Sequence, residues 1–186
     1  LGSSPKLVDL FIEWQKYDFL RVKAGQFKNP FTYENPMHPI DQGFMSYSQV
    51  ISKFAGFSDR AGAHSSNGRD IGVQLQGDFL KNASGRNLIH YQVGVFNGQG
   101  INVKDVDQQK NIIGGAWVMP VEGMRLGAFG WIGSYARKGT SASEGITNTT
   151  LRRLQQRRYA FSAEYKVDDW TFRSEYVHST GYAFAK

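Results

Sequence analysis

Across eight stretches of the chain, apolar residues recur at every second position and the positions between them carry Gln, Arg, Glu or Lys. The last two stretches show it best. Tyr159, Phe161, Ala163, Tyr165 and Val167 alternate with Ala160, Ser162, Glu164 and Lys166, and Trp170, Phe172 and Tyr176 alternate with Thr171, Arg173 and Glu175. Strand side chains point alternately to two faces, so the pattern predicts a hairpin with one aromatic face and one charged face. The same period predicts strands over 7–17, 19–27, 69–80, 86–97, 110–120, 124–138, 152–167 and 169–183. Most of these exceed the typical length of about 5–6 residues for soluble strands, and they reach the ~9–11 residues that a tilted strand needs to cross a bilayer.

The joins alternate in length. Asp18 and the segments 81–85, 121–123 and 168–169 are short, whereas 28–68, 98–109 and 139–151 are long. Short turns at one end and long loops at the other are the habit of outer-membrane barrels. The longest segment, 28–68, opens with Pro30, Pro36 and Pro39, which cannot donate to a strand ladder. Within it, Ser46 or Ser48 caps a predicted short helix over Gln49–Phe54 that presents Val50, Ile51 and Phe54 together and stops at Gly56. Its apolar residues Phe31, Tyr33, Phe44, Tyr47, Ile51 and Phe54 need a surface to pack on, so the loop is expected to fold inward over the polar face.

With the apolar face toward lipid, Arg21, Lys23, Arg125, Arg158, Lys166 and Arg173 share the inner face with Asp9, Glu13, Asp78, Glu164 and Glu175. Each Arg or Lys on the lipid side would cost ~2–4 kcal/mol at the midplane, so the parity of these bases marks the wet side. Six bases against five acids is close to balance, which argues against a strongly charged lumen. Cross-strand ion pairs, for example Arg173 or Lys166 with Glu164 or Glu175, compete with a direct role in binding a passing anion.

Composition adds mainly exclusions. The 186 residues contain no Cys, so no disulfide scaffold or thiolate metal site is expected. No run approaches the ~18 apolar residues of a membrane helix, and the first residues carry no apolar leader segment. The formal charge of +6 is moderate. Asp105-Val-Asp107 opens like a calcium loop, but Lys110 stands where glycine is required. The histidines at 38, 64, 90 and 178 lack the spacing of a metal clasp. Gly94–Gly100 resembles a dinucleotide fingerprint without a helix to follow, and Arg152–Arg158 reads as a solvated strand entry rather than a nucleic-acid grip. No catalytic group, metal or cofactor is expected.

Three segments, in order along the chain, carry a resemblance. They are Val22-Lys-Ala-Gly-Gln-Phe-Lys-Asn-Pro-Phe-Thr-Tyr-Glu34, Gly94-Val-Phe-Asn-Gly-Gln-Gly-Ile101 and Pro120-Val-Glu-Gly-Met-Arg-Leu-Gly127. Together they resemble the phosphate-selective porin O/P family, over most of residues 7–183. The resemblance implies an all-β, antiparallel transmembrane barrel of the porin type, of about 16 strands in that family, with an inward-folded third loop and an arginine-lined lumen. Eight strands are roughly half of such a barrel, so the chain reads as a barrel segment and a fragment. The loop 28–68 then takes the constricting position, placing Lys28, Lys53, Arg60 and Arg69 near the pore against Glu34, Asp41 and Asp59. The implied role is passive diffusion of small hydrophilic solutes across the outer membrane of a Gram-negative bacterium, with a preference for anions or phosphate. Outer-membrane lipid, the solutes and other copies of the chain are the implied partners; nucleic acid is not. Two rival readings are a soluble β-sandwich or small barrel that binds carbohydrate through exposed aromatics, and a barrel-embedded lipase or protease. The latter needs a Ser-His or Asp-His pair, which the spacing does not display.

Overall fold

A computed structural model describes residues 7–57, 67–138 and 151–180. The chain is all-β: one eight-stranded sheet in the order β1 to β8, every neighbouring pair antiparallel. The strands are β1 Leu10–Tyr17, β2 Leu20–Lys28, β3 Arg69–Lys81, β4 Asn87–Phe96, β5 Asn111–Val118, β6 Met124–Lys138, β7 Leu151–Val167 and β8 Trp170–Thr180. β1 and β8 end the sheet and do not pair with each other. The sheet is therefore open.

Boundaries fall close to those the period predicts, with one instructive difference. The first strand begins at Leu10 rather than residue 7, because the Gln26 side chain takes the carbonyls of Leu7 at 2.6 Å and Val8 at 3.1 Å and draws them off the ladder. Residues 181–183, expected in the last strand, lie outside the described residues. Turns are short at one end of the sheet. In the 82–86 turn the Asn82 carboxamide oxygen accepts the N–H groups of Ser84 at 3.1 Å and Arg86 at 2.9 Å, and Gly85 supplies the positive φ.

The two faces differ in what covers them. On one face the segment from Asn29 to Phe57 lies against the strands. The buried cluster joins Phe31, Tyr33, Met37, Ile51 and Ala55 of this segment to Phe27, Phe96, Ile113, Phe129, Trp131 and Ala160 of the sheet. Phe31 meets Trp131 edge-on at 5.7 Å, and Tyr33 meets Trp117 at 5.5 Å and Phe129 at 5.4 Å. These contacts reach β5 and β6 from a loop that leaves β2. The one α-helix among the described residues, α1 (Gln49–Phe54), forms where expected. Ser48 caps it, its hydroxyl accepting the Ile51 N–H at 3.3 Å, and Ile51 is fully buried. Phe44, expected to pack, is 81% exposed instead. It lines a pocket with Met45, Val50 and the β8 residues Arg173 and Glu175, whose charged side chains offer it no apolar cover.

Nothing among the described residues covers the other face. Ile12, Val73, Val95, Ile112, Ile132 and Phe161 stand exposed there, one on each of six strands, as the period predicts. Near the short turns this bare face is aromatic: Tyr17 stacks on Phe19 at 5.4 Å, Phe79 on Tyr91 at 5.2 Å and Trp170 on Phe172 at 6.2 Å.

Candidate functional site

The covered face carries the polar residues, and the loop divides them into two groups. Toward β5–β8 the loop is pinned down. Glu175 Oε1 accepts the backbone N–H of Tyr33 at 2.8 Å and of Glu34 at 3.1 Å, and also the Ser162 hydroxyl at 3.1 Å. Arg173 donates to the Gln42 carbonyl at 3.2 Å, and Arg158 donates to the Phe54 carbonyl. Arg158 is 3% exposed, with its guanidinium 4.2 Å from the centre of the Trp131 ring. It lies on the predicted face but beneath the loop, where it borders no open space: a main-chain carbonyl at a helix end draws a buried guanidinium as a carboxylate would. Glu175 likewise serves the loop backbone and not an arginine.

Toward β1–β4 the face is open. Two cavities lie side by side, about 710 Å³ over β1–β4 and about 690 Å³ extending from β3 across to β7, both bordered by Pro36, His38, Gln76 and Gln92. The first also meets Asp9, Lys23, Lys28 and Arg69; the second meets Arg125, Glu164 and Lys166. Of the constriction candidates, Lys28 and Arg69 thus border the first cavity. Lys53 sits in the last turn of α1 and borders neither cavity, and Arg60 lies outside the described residues.

Charge on this face is largely paired. Glu164 receives Arg125 at 2.9 Å and Arg173 at 2.7 Å, with Lys166 at 3.7 Å. Arg69 forks onto Asp9, at 2.8 and 2.9 Å. Arg21 pairs with Asp78, whose other oxygen lies 2.8 Å from His90 Nδ1. Lys28 Nζ donates to the Met37 carbonyl at 2.6 Å and the Tyr47 hydroxyl at 3.0 Å. Lys23 is different. Its ammonium lies 3.8 Å from the Phe11 ring centre and 4.9 Å from that of Phe27. Glu13 stands opposite it in the register but accepts from Gln76 instead, at 2.6 Å. Burial pushes the Tyr33 phenol above its ordinary pKa, so it borders the second cavity as a neutral group.

The Asp78–His90 pair is one that sequence spacing does not display. The two residues share the covered face and stand directly opposite each other in the β3–β4 register, so the signal was present once the register was known. His90 also stacks on Trp117 at 4.0 Å. The cavity it borders presents no Ser, Thr or Cys among the described residues. No group of three or more His, Cys, Asp or Glu able to hold a metal ion occurs among the described residues.

No protein-family model, curated protein or solved structure matches the chain.

Proposed function

We propose that this sheet is part of the wall of an outer-membrane diffusion channel, as the resemblance to the phosphate-selective porins implies. The bare face carries the reading. Exposed apolar side chains stand on it across the sheet, and charged residues of that parity are few among the described residues; Lys16 and Lys81 stand at strand ends, and Arg157 interrupts the apolar face within β7, opposite Ile132. A soluble protein that leaves such a face uncovered exposes far more contiguous apolar surface than the few hundred Å² usual for monomers. In a bilayer the same face is at home, and the aromatic residues near the short turns take the interfacial level. The loop against β5–β8 narrows the path, and the open groove along β1–β4 is the route left for a hydrophilic solute. Closure requires further strands beyond β1 and β8, because each presents an unpaired ladder.

The test uses tryptophan. Trp14 and Trp170 lie on the bare face, whereas Trp131 is buried under the loop. In liposomes with brominated acyl chains, single-tryptophan variants keeping Trp14 or Trp170 are expected to be quenched strongly and the variant keeping Trp131 weakly. Equal quenching, or a detergent-free folded monomer, overturns the reading. Reversal potential in a planar bilayer under a KCl gradient then measures any charge preference.

A further inference from the structure

Gln92 is 6% exposed, borders both cavities and has no hydrogen-bond partner for its Nε2. Its neighbours are satisfied: Gln74 Nε2 donates to Gln76 Oε1 at 2.8 Å, and Gln76 Nε2 donates to Glu13 at 2.6 Å. Gln76 stands opposite Gln92 in the β3–β4 register, so a row of carboxamides crosses the floor of the groove and ends on an idle buried donor. A buried amide N–H with no acceptor is unfavourable, and it gains when a solute oxygen supplies one.

What kind of oxygen follows from the surroundings. The guanidiniums bordering the cavities are already occupied: Arg69 by Asp9, Arg125 by Glu164, and Arg86 by the carbonyls of Met119 at 2.7 Å and Val121 at 3.3 Å. An inorganic anion entering here would have to compete with carboxylates for Arg69 and Arg125 and with main-chain carbonyls for Arg86. The larger cavity offers instead apolar walls from Phe11, Phe27, Phe57 and Pro30, set against carboxamides, one bidentate ion pair and two ammonium groups, Lys28 held by the Met37 carbonyl and the Tyr47 hydroxyl and Lys23 held over the Phe11 and Phe27 rings. Apolar walls with a few placed polar groups fit a ring that has CH faces and a hydroxyl rim. At about 710 Å³ the cavity falls within the ~300–1,000 Å³ usual for small-molecule sites.

We propose that the groove centred on Gln92 binds a neutral saccharide in preference to an inorganic anion. The inference rests on reading the groove as a solute path and names the solute class. The Gln92 carboxamide donates to a sugar hydroxyl, Gln74 and Gln76 orient it, and the apolar walls hold the ring face.

The test is calorimetric titration of the folded full chain in a detergent without a sugar headgroup, using maltotriose, cellotriose, xylotriose and inorganic phosphate. At least one trisaccharide is expected to bind, and phosphate at the same concentration to give no saturable heat. Gln92→Met keeps the shape and removes the donor, and is expected to weaken the saccharide at least fivefold. Asn67→Gly keeps the positive φ of that position while removing a rim carboxamide, and is expected to weaken it about twofold even if Gln92→Met does not fold. Phosphate binding as tightly as the best trisaccharide, no trisaccharide binding, or indifference to the substitutions overturns the proposal. Binding in detergent requires no conduction, so failure here is distinct from failure of the lipid-quenching test.

Discussion

Glu175 on β8 accepts the backbone N–H of Tyr33 at 2.8 Å, across 142 positions of sequence. This bond and its companion from Glu34 fasten the start of the loop to the strand farthest from where the loop leaves the sheet. Glu175→Ala leaves two amide donors without an acceptor and is expected to destabilise the fold by about 1–3 kcal/mol. Glu175→Gln retains an accepting oxygen and loses much less. Denaturant unfolding checks the difference, and hydrogen exchange at the Tyr33 and Glu34 amides, fast only in the alanine variant, locates it.

Glu164 neutralises Arg125 and Arg173 together while its side chain is 4% exposed. Glu164→Gln leaves both guanidiniums without a counter-charge beside the second cavity. The expected results are a loss of about 3–5 kcal/mol in stability and a shift of reversal potential toward the chloride limit in a planar bilayer. A reversal potential that stays in place would show that the second cavity lies off the conducting path.

Gly25 has φ +136°, and a Cβ built there would stand 2.2 Å from the Leu10 carbonyl oxygen across the β1–β2 pair. Gly25→Ala is expected to spread that pair at a cost of about 1–3 kcal/mol. Amide exchange should quicken in β1 and stay unchanged in β5 to β8.

Asp105 sits in the connection between β4 and β5, where Lys110 donates to its carboxylate and holds its pKa below the ordinary value. A depressed folded pKa means stability that is present above the unfolded value near 4 and is lost as pH falls through the folded one. The Asp107 and Gln108 amides, which both donate to Asp105 Oδ1, are expected to exchange faster once pH drops below about 4. Exchange is read by acid pulse labelling with correction for the intrinsic rate, and Asp105→Asn should abolish the pH step. The pair is on the surface, so the contribution is below about 1 kcal/mol.

Much of the candidate site was legible as parity and little of it as partnership. Arg21, Lys23, Arg125, Lys166 and Arg173 all lie on the face the alternation assigns them, and Glu164 pairs with Arg173 and Lys166 as expected. The pairings Arg21–Asp78 and Arg69–Asp9 were not foreseen, nor was the burial of Arg158. Gln92 lies on the same covered face, opposite Gln76, and no local pattern marks its amide as one left without a partner.

The sequence by itself determined the eight strands, their two faces and the helix at Gln49–Phe54. Those features are written in neighbouring residues: a period of two makes faces, and a serine before an apolar triplet makes a capped turn. Tertiary structure decided where the loop lies. Phe31 and Tyr33 seat against Trp131, Trp117 and Phe129, Glu175 accepts the Tyr33 N–H, Arg173 donates to the Gln42 carbonyl, and the open groove is left along β1–β4. Those contacts join residues that lie between 84 and 142 positions apart. Their formation depends on strand register and on the volume of facing side chains, two quantities that no local pattern contains.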